Sequence, residues 1–225
     1  MSPLLIPLAI ILILVGVLFL RTMWKWQEQR TKEFKRISEQ LGMTFSARVK
    51  GRAKDQATPP LPLFREGRSR VVTNMLHGDS ELLGFAEEFE VRIFAYGFAQ
   101  QQQDQHVMQS VICFQSPQLN HPKFQLCPES FGNKLWGGRF TGDIDFESHQ
   151  AAAVFSKKYL LRGKDEQKIR ALFTDEVLAF FAGQDKLCVE GFSSHLCFYR
   201  ARKLIEPEDI PAFMKEGFEV FRLFA

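Results

Sequence analysis

The residues best suited to chemistry are Asp143, Asp145, Cys188, His195 and Cys197. In Gly142-Asp-Ile-Asp-Phe-Glu147 a strand period of two puts Asp143, Asp145 and Glu147 on one face and Ile144 and Phe146 on the other. Three carboxylates so placed offer oxygen ligands to a divalent cation. A solvated strand face has the same pattern, and no histidine or loop glycine completes a site, so the solvated face is the simpler reading. His195-Leu-Cys197 lies across a proposed hairpin from Cys188, and thiolate and imidazole suit zinc. C-x-x-C spacing and a fourth ligand are missing, so separate buried thiols and a turn histidine are preferred. His121 and Cys127 would act as base and nucleophile only if the fold joined them, and no third group is indicated. The chain has no phosphate-binding glycine loop, no nucleophile elbow and no metalloprotease helix. No catalytic residue, metal or cofactor is assigned.

The elements that would position these residues alternate with a period of two through the middle of the chain. Runs at 69–76, 88–98, 106–115 and 124–128 read as strands, the first three as an antiparallel meander with a polar tip at Gln100–Gln105. Met43–Ala47 reads as a short strand, and Lys50–Leu63, with Pro59-Pro60-Leu61-Pro62, as linker or surface loop. Phe155–Leu161 is expected to be a strand, followed by a helix from Asp165 to Gly183 with an apolar stripe. A hairpin crosses Gly191–Ser194, and Pro207 opens a last amphipathic helix. The 23 Phe favour a strand-rich core.

At the N-terminus, Pro3–Leu20 is an uncharged apolar run of eighteen residues, about 27 Å as a helix, which predicts a membrane span. A cleaved secretory signal would need a basic leader and a small-residue cleavage site, and neither is present. The basic flank after the run predicts a cytoplasmic C-terminal part, with Arg21, Trp24, Lys25 and Trp26 at the membrane interface. Residues 21–41 read as a basic helix that docks on the domain or pairs with a second copy. Its six basic and three acidic residues, taken from 29 Lys plus Arg and 26 Asp plus Glu, leave a balanced remainder. The charge therefore suits a lipid head-group surface and gives no reason to expect nucleic acid. The cysteines Cys113, Cys127, Cys188 and Cys197 need not pair in a reducing compartment.

The segments EQLGMTF, NMLHG, FEVRIFAYGF, HPKFQLCPES, GDIDF, FSKKYLLRGKDEQKIRALF and CVEGFSSHLCFYRARK resemble a family of bacterial membrane proteins that pair one span with a small α+β domain and carry no assigned activity. The resemblance implies a bacterial inner-membrane setting. The expected architecture is therefore α+β: an N-terminal transmembrane helix (1–20), a basic juxtamembrane helix (21–41), and a cytoplasmic antiparallel-sheet domain with amphipathic helices packed on it (42–225). The expected role is a membrane-anchored interaction or scaffold module whose partners are the lipid bilayer and a protein or a second copy. The alternatives are a membrane-bound hydrolase or metal-dependent enzyme, and a subunit of a larger inner-membrane complex.

Overall fold

Alternating apolar and polar side chains draw the middle of the chain into a single antiparallel sheet. In the computed structural model, which describes residues 5–65, 67–99, 106–130 and 142–225, the strand order is β1-β2-β3-β4-β8-β7-β5-β6. The strands are β1 Thr44–Val49, β2 Arg68–Asp79, β3 Glu90–Ala99, β4 His106–Gln115, β5 His121–Pro128, β6 Tyr159–Gly163, β7 Cys188–Ser193 and β8 His195–Tyr199. The helices are α1 Leu5–Gln40, α2 Gly51–Ala57, α3 Ser80–Leu83, α4 Gln150–Lys158, α5 Glu166–Leu172, α6 Asp175–Ala182 and α7 Ile210–Phe224. The α+β class agrees with the sequence reading. The polar tip at 100–105 lies outside the described residues.

The expected transmembrane helix is corrected: among the described residues no helix is long and apolar enough to cross a membrane. Of the proposed span, residues 3 and 4 lie outside the description, as do the side chains of 5–11. Arg21, Lys25 and Glu28 end the apolar part of α1 well before the helix itself ends at Gln40. The transmembrane, single-pass description therefore has no support among the described residues.

Both faces of the sheet are covered. On the front face α4, α5, α6, α7 and the last turns of α1 bury Phe34, Ile37, Phe89, Ile93, Phe114, Phe124, Phe173, Phe181 and Phe221 in one core. Helix α7 comes close because position 217 is glycine: a Cβ there would stand 2.8 Å from Ile112. Among its described side chains, helix α1 docks from Arg30 onward. Its guanidinium donates to the Ile205 carbonyl and the Glu206 carboxylate, and Phe34 and Ile37 sit in the core. A bulge in β2 at Asn74, with φ +50°, turns Val72 to the back face and Leu76 to the front, and Thr31 Oγ1 donates to Asn74 Oδ1 at 3.1 Å.

The back face is covered by the segment expected to be a linker. Leu61, Leu63 and Phe64 are buried there against Val72, Phe94, Tyr96 and Val111, and the Phe64 and Tyr96 rings meet edge to face at 5.1 Å. The prolines stiffen a turned strap whose apolar residues need cover, with the Leu61 N–H donating to the Pro59 carbonyl and the Phe64 N–H to that of Leu61. Two further expectations change. Residues up to Lys158 are helical, because His149 accepts the Ala152 N–H as an N-cap and Phe155 falls on the buried side. The 165–183 helix is two helices, because Thr174 caps a new start with Asp175 and Glu176 in its first turn.

Phe221→Ala should cost about 3–5 kcal/mol of unfolding free energy. Trp24→Ala, on the exposed part of α1, should stay within about 0.5 kcal/mol. Chemical denaturation followed by circular dichroism measures both.

Candidate functional site

Strand register places the chemically versatile side chains of the second half on the back face. One row across β3, β4, β8, β7, β5 and β6 reads Arg92, Cys113, Cys197, Glu190, Gln125, Arg162. The next row reads Phe94, Val111, Tyr199 and Cys188. Cys113 and Cys197 form a disulfide with a Cα–Cα distance of 4.1 Å. Glu190 is fully buried and accepts from the Leu63 N–H at 2.9 Å, Gln125 Nε2 at 2.8 Å and the Tyr199 hydroxyl at 2.9 Å. Its carboxylate thus pins the strap to the sheet, since buried polar groups require partners. Cys127 and Cys188 are free and buried. Burial pushes the Cys127 thiol up to about 12, and burial, with Cys127 and Glu190 nearby, holds Cys188 well above the ordinary thiol range. A thiol so protonated is a poor nucleophile at neutral pH.

The other candidate is a cleft of about 500 Å³ at the end of the sheet where β2 and β4 finish and β3 begins. Its walls include His77, Asp79, Glu81, Glu88, Glu90 and Gln115. Glu90 is shared: Arg92 donates to it, and His77 Nε2 stands 3.4 Å away. Burial, with Arg92 nearby, lowers the pKa of adjacent His195, and its Nδ1 is 3.4 Å from Ser194 Oγ. The cleft is a polar, acidic recess that can accept hydrogen bonds. It lacks the ordered nucleophile, base and orienting group that acyl transfer needs.

The structure separates the residues singled out in the sequence. Asp143 and Asp145 lie on a segment outside the eight strands that runs beside β6, where the Ile144 N–H donates to the Leu161 carbonyl at 2.8 Å. Ile144 is buried, while Asp143 accepts the Leu161 N–H at 2.8 Å and that of Ile144 at 3.1 Å. Asp143 therefore holds backbone. Cys197 is consumed by the disulfide, Cys188 is two rungs along on β7, and His195 opens β8. Among the described residues no three His, Cys, Asp or Glu gather to hold a metal ion. His121 and Cys127 face opposite sides of β5: His121 is buried between the Phe124 and Phe224 rings at 5.9 Å, and Cys127 belongs to the back core. Arg21, Trp24 and Lys25 flank one exposed side of α1 with Val17, Leu20 and Glu28. Trp26 instead packs against Arg30, whose guanidinium carbon is 5.5 Å from its ring centroid.

The Glu190 network was missed in the sequence. Its signal was a lone acid between Val189 and Gly191 in an apolar run. Such an acid must face either solvent or a buried set of donors.

No protein-family model matches the chain, and no curated protein matches it. A solved structure does. The crystal structure of mycobacterial trehalose monomycolate transport factor A, TtfA, aligns with a TM-score of 0.52 and 8% identity, covering 86% of this chain and 91% of that one. The likeness is one of fold.

His121 generates a pH dependence. Burial holds its pKa down at about 4, against an unfolded value near 6.5, so the unfolded chain binds the proton more readily between these limits. The stability His121 confers by staying neutral is complete above pH 6.5 and is lost as pH falls toward 4, by at most roughly 3 kcal/mol. Urea denaturation from pH 7 to 4 should show this slope, and His121→Phe should flatten it.

Proposed function

We propose that the chain is a non-catalytic interaction subunit whose projecting N-terminal helix is enclosed by apolar helices of a partner protein. The observation that carries this reading is the exposure of α1 ahead of its docking point. Leu12, Ile13, Leu14 and Val15 are consecutive and 64%, 65%, 57% and 57% exposed. Successive residues of a helix point about 100° apart, so these four encircle the axis. A flat surface would cover only one side, whereas a bundle covers all. Contiguous apolar exposure on this scale marks an interaction site. The domain core does not use residues 12–29, since among the described side chains of α1 burial begins at Arg30. By its name the fold neighbour TtfA is a transport factor for trehalose monomycolate. Neither that role nor its cargo is extended to this chain, and the reading rests on the exposed apolar helix.

A photo-crosslinking residue placed at Leu14, Leu18 or Trp24 in the full chain, expressed in its native host, tests this. The expected outcome is one crosslinked protein common to all three positions, present at stoichiometric mass in the native complex, and lost in Leu14→Glu/Leu18→Glu with the domain still folded. Adducts to lipid alone, or a native complex no larger than the monomer, would overturn it.

A further inference from the structure

We propose that Cys127 and Cys188 are a second, conditional disulfide pair, closed by exchange with a low-molecular-weight disulfide such as oxidised glutathione. The printed rungs of the β5–β7 ladder set Gln125 opposite Glu190 and Leu126 opposite Val189. One step further along the same antiparallel register sets Cys127 opposite Cys188. Both side chains belong to the back face, and Cys188 feels the charge of Cys127. Directly opposed residues on antiparallel strands have Cα atoms about 4.5–5.5 Å apart, within or near the range a disulfide bridges. The same relation between β4 and β8 already carries Cys113–Cys197.

The two pairs differ in their place along the strands. Cys113 and Cys197 lie inside β4 and β8. Cys188 is the first residue of β7, and Cys127 is followed only by Pro128 in β5. Proline cannot donate a ladder hydrogen bond, and strand ends open at lower free energy than strand centres. Cys127 is also paired with Leu160 of β6 and Cys188 with Tyr199 of β8, so the thiols become accessible when this end of the β8-β7-β5-β6 ladder opens together. In the exchange, Cys127 loses its proton and attacks one glutathione sulfur, releasing a glutathione thiolate. Cys188 then loses its proton and attacks Cys127 Sγ, releasing the second. The protein pair gives up two electrons and two protons, and the glutathione disulfide becomes two thiols. The raised thiol pKa values keep the pair reduced while the rung is closed.

Purified full chain is unfolded and refolded in a glutathione redox buffer, so that burial does not block access. Remaining thiols are then alkylated in denaturant and the digest is read by mass spectrometry. The proposal expects a peptide linking Cys127 to Cys188 beside the Cys113–Cys197 link, two fewer alkylated thiols, and unchanged circular dichroism. In Cys188→Ser, Cys127 should appear as an alkylated thiol or a glutathione adduct. Two alkylatable thiols persisting in the refolded wild-type chain, or Cys127 or Cys188 joined to any other cysteine, would overturn it.

Discussion

The aromatic seam under α7 is the contact on which the rest of the structure depends. Phe221 stacks on Phe114 of β4 at 4.7 Å, and Phe218 meets Phe114 and Phe89 at 5.1 and 5.3 Å. Phe224 reaches Phe124 of β5 at 5.6 Å and Phe173, just after α5, at 5.5 Å. One helix therefore binds the first half of the sheet to the second. Seven of the 23 phenylalanines meet where the two halves are joined. Rings at these separations add about 0.5–1.5 kcal/mol per pair beyond the area they bury.

With the front face closed by that seam, the back face is closed by other means. A short proline-stiffened strap lies over it and is held by one carboxylate, Glu190, that accepts from strap, strand and tyrosine together. The disulfide Cys113–Cys197 ties β4 to β8, where the two halves of the sheet meet. The sequence reading left all four cysteines free to stay unpaired, and two of them, Cys113 and Cys197, are paired. The domain completes both cores, and residues 12–29 of α1 are left exposed.

The sequence made the strands and the last helix legible because their periodicities are strong: β3 and β4 show on the page which residues face front. It did not show that β8 and β7 insert between β4 and β5. That order is set by long-range packing under α7, which no local pattern records. The strap misled because proline and polar residues signal a loop, while burial of Leu61 and Leu63 depends on a sheet face formed elsewhere. The acidic segment at 143–147 misled less: its alternation holds, with Ile144 inward and the carboxylates outward, but Asp143 serves backbone N–H groups. The apolar N-terminal run was read as a span from its composition. Among the described residues no helix is long and apolar enough to cross a membrane, and the charges of the continuing helix follow directly after Leu20.

The central claim is that the domain is complete without the front of α1, which is reserved for a partner. Hydrogen–deuterium exchange on the isolated chain and on its native complex tests it most directly. The account predicts slow exchange from Arg30 onward and through α7 in both states, with fast exchange over 12–29 in the isolated chain that becomes slow in the complex. Equal protection of 12–29 in both states, or a difference confined to the acidic cleft at the sheet end, would contradict it.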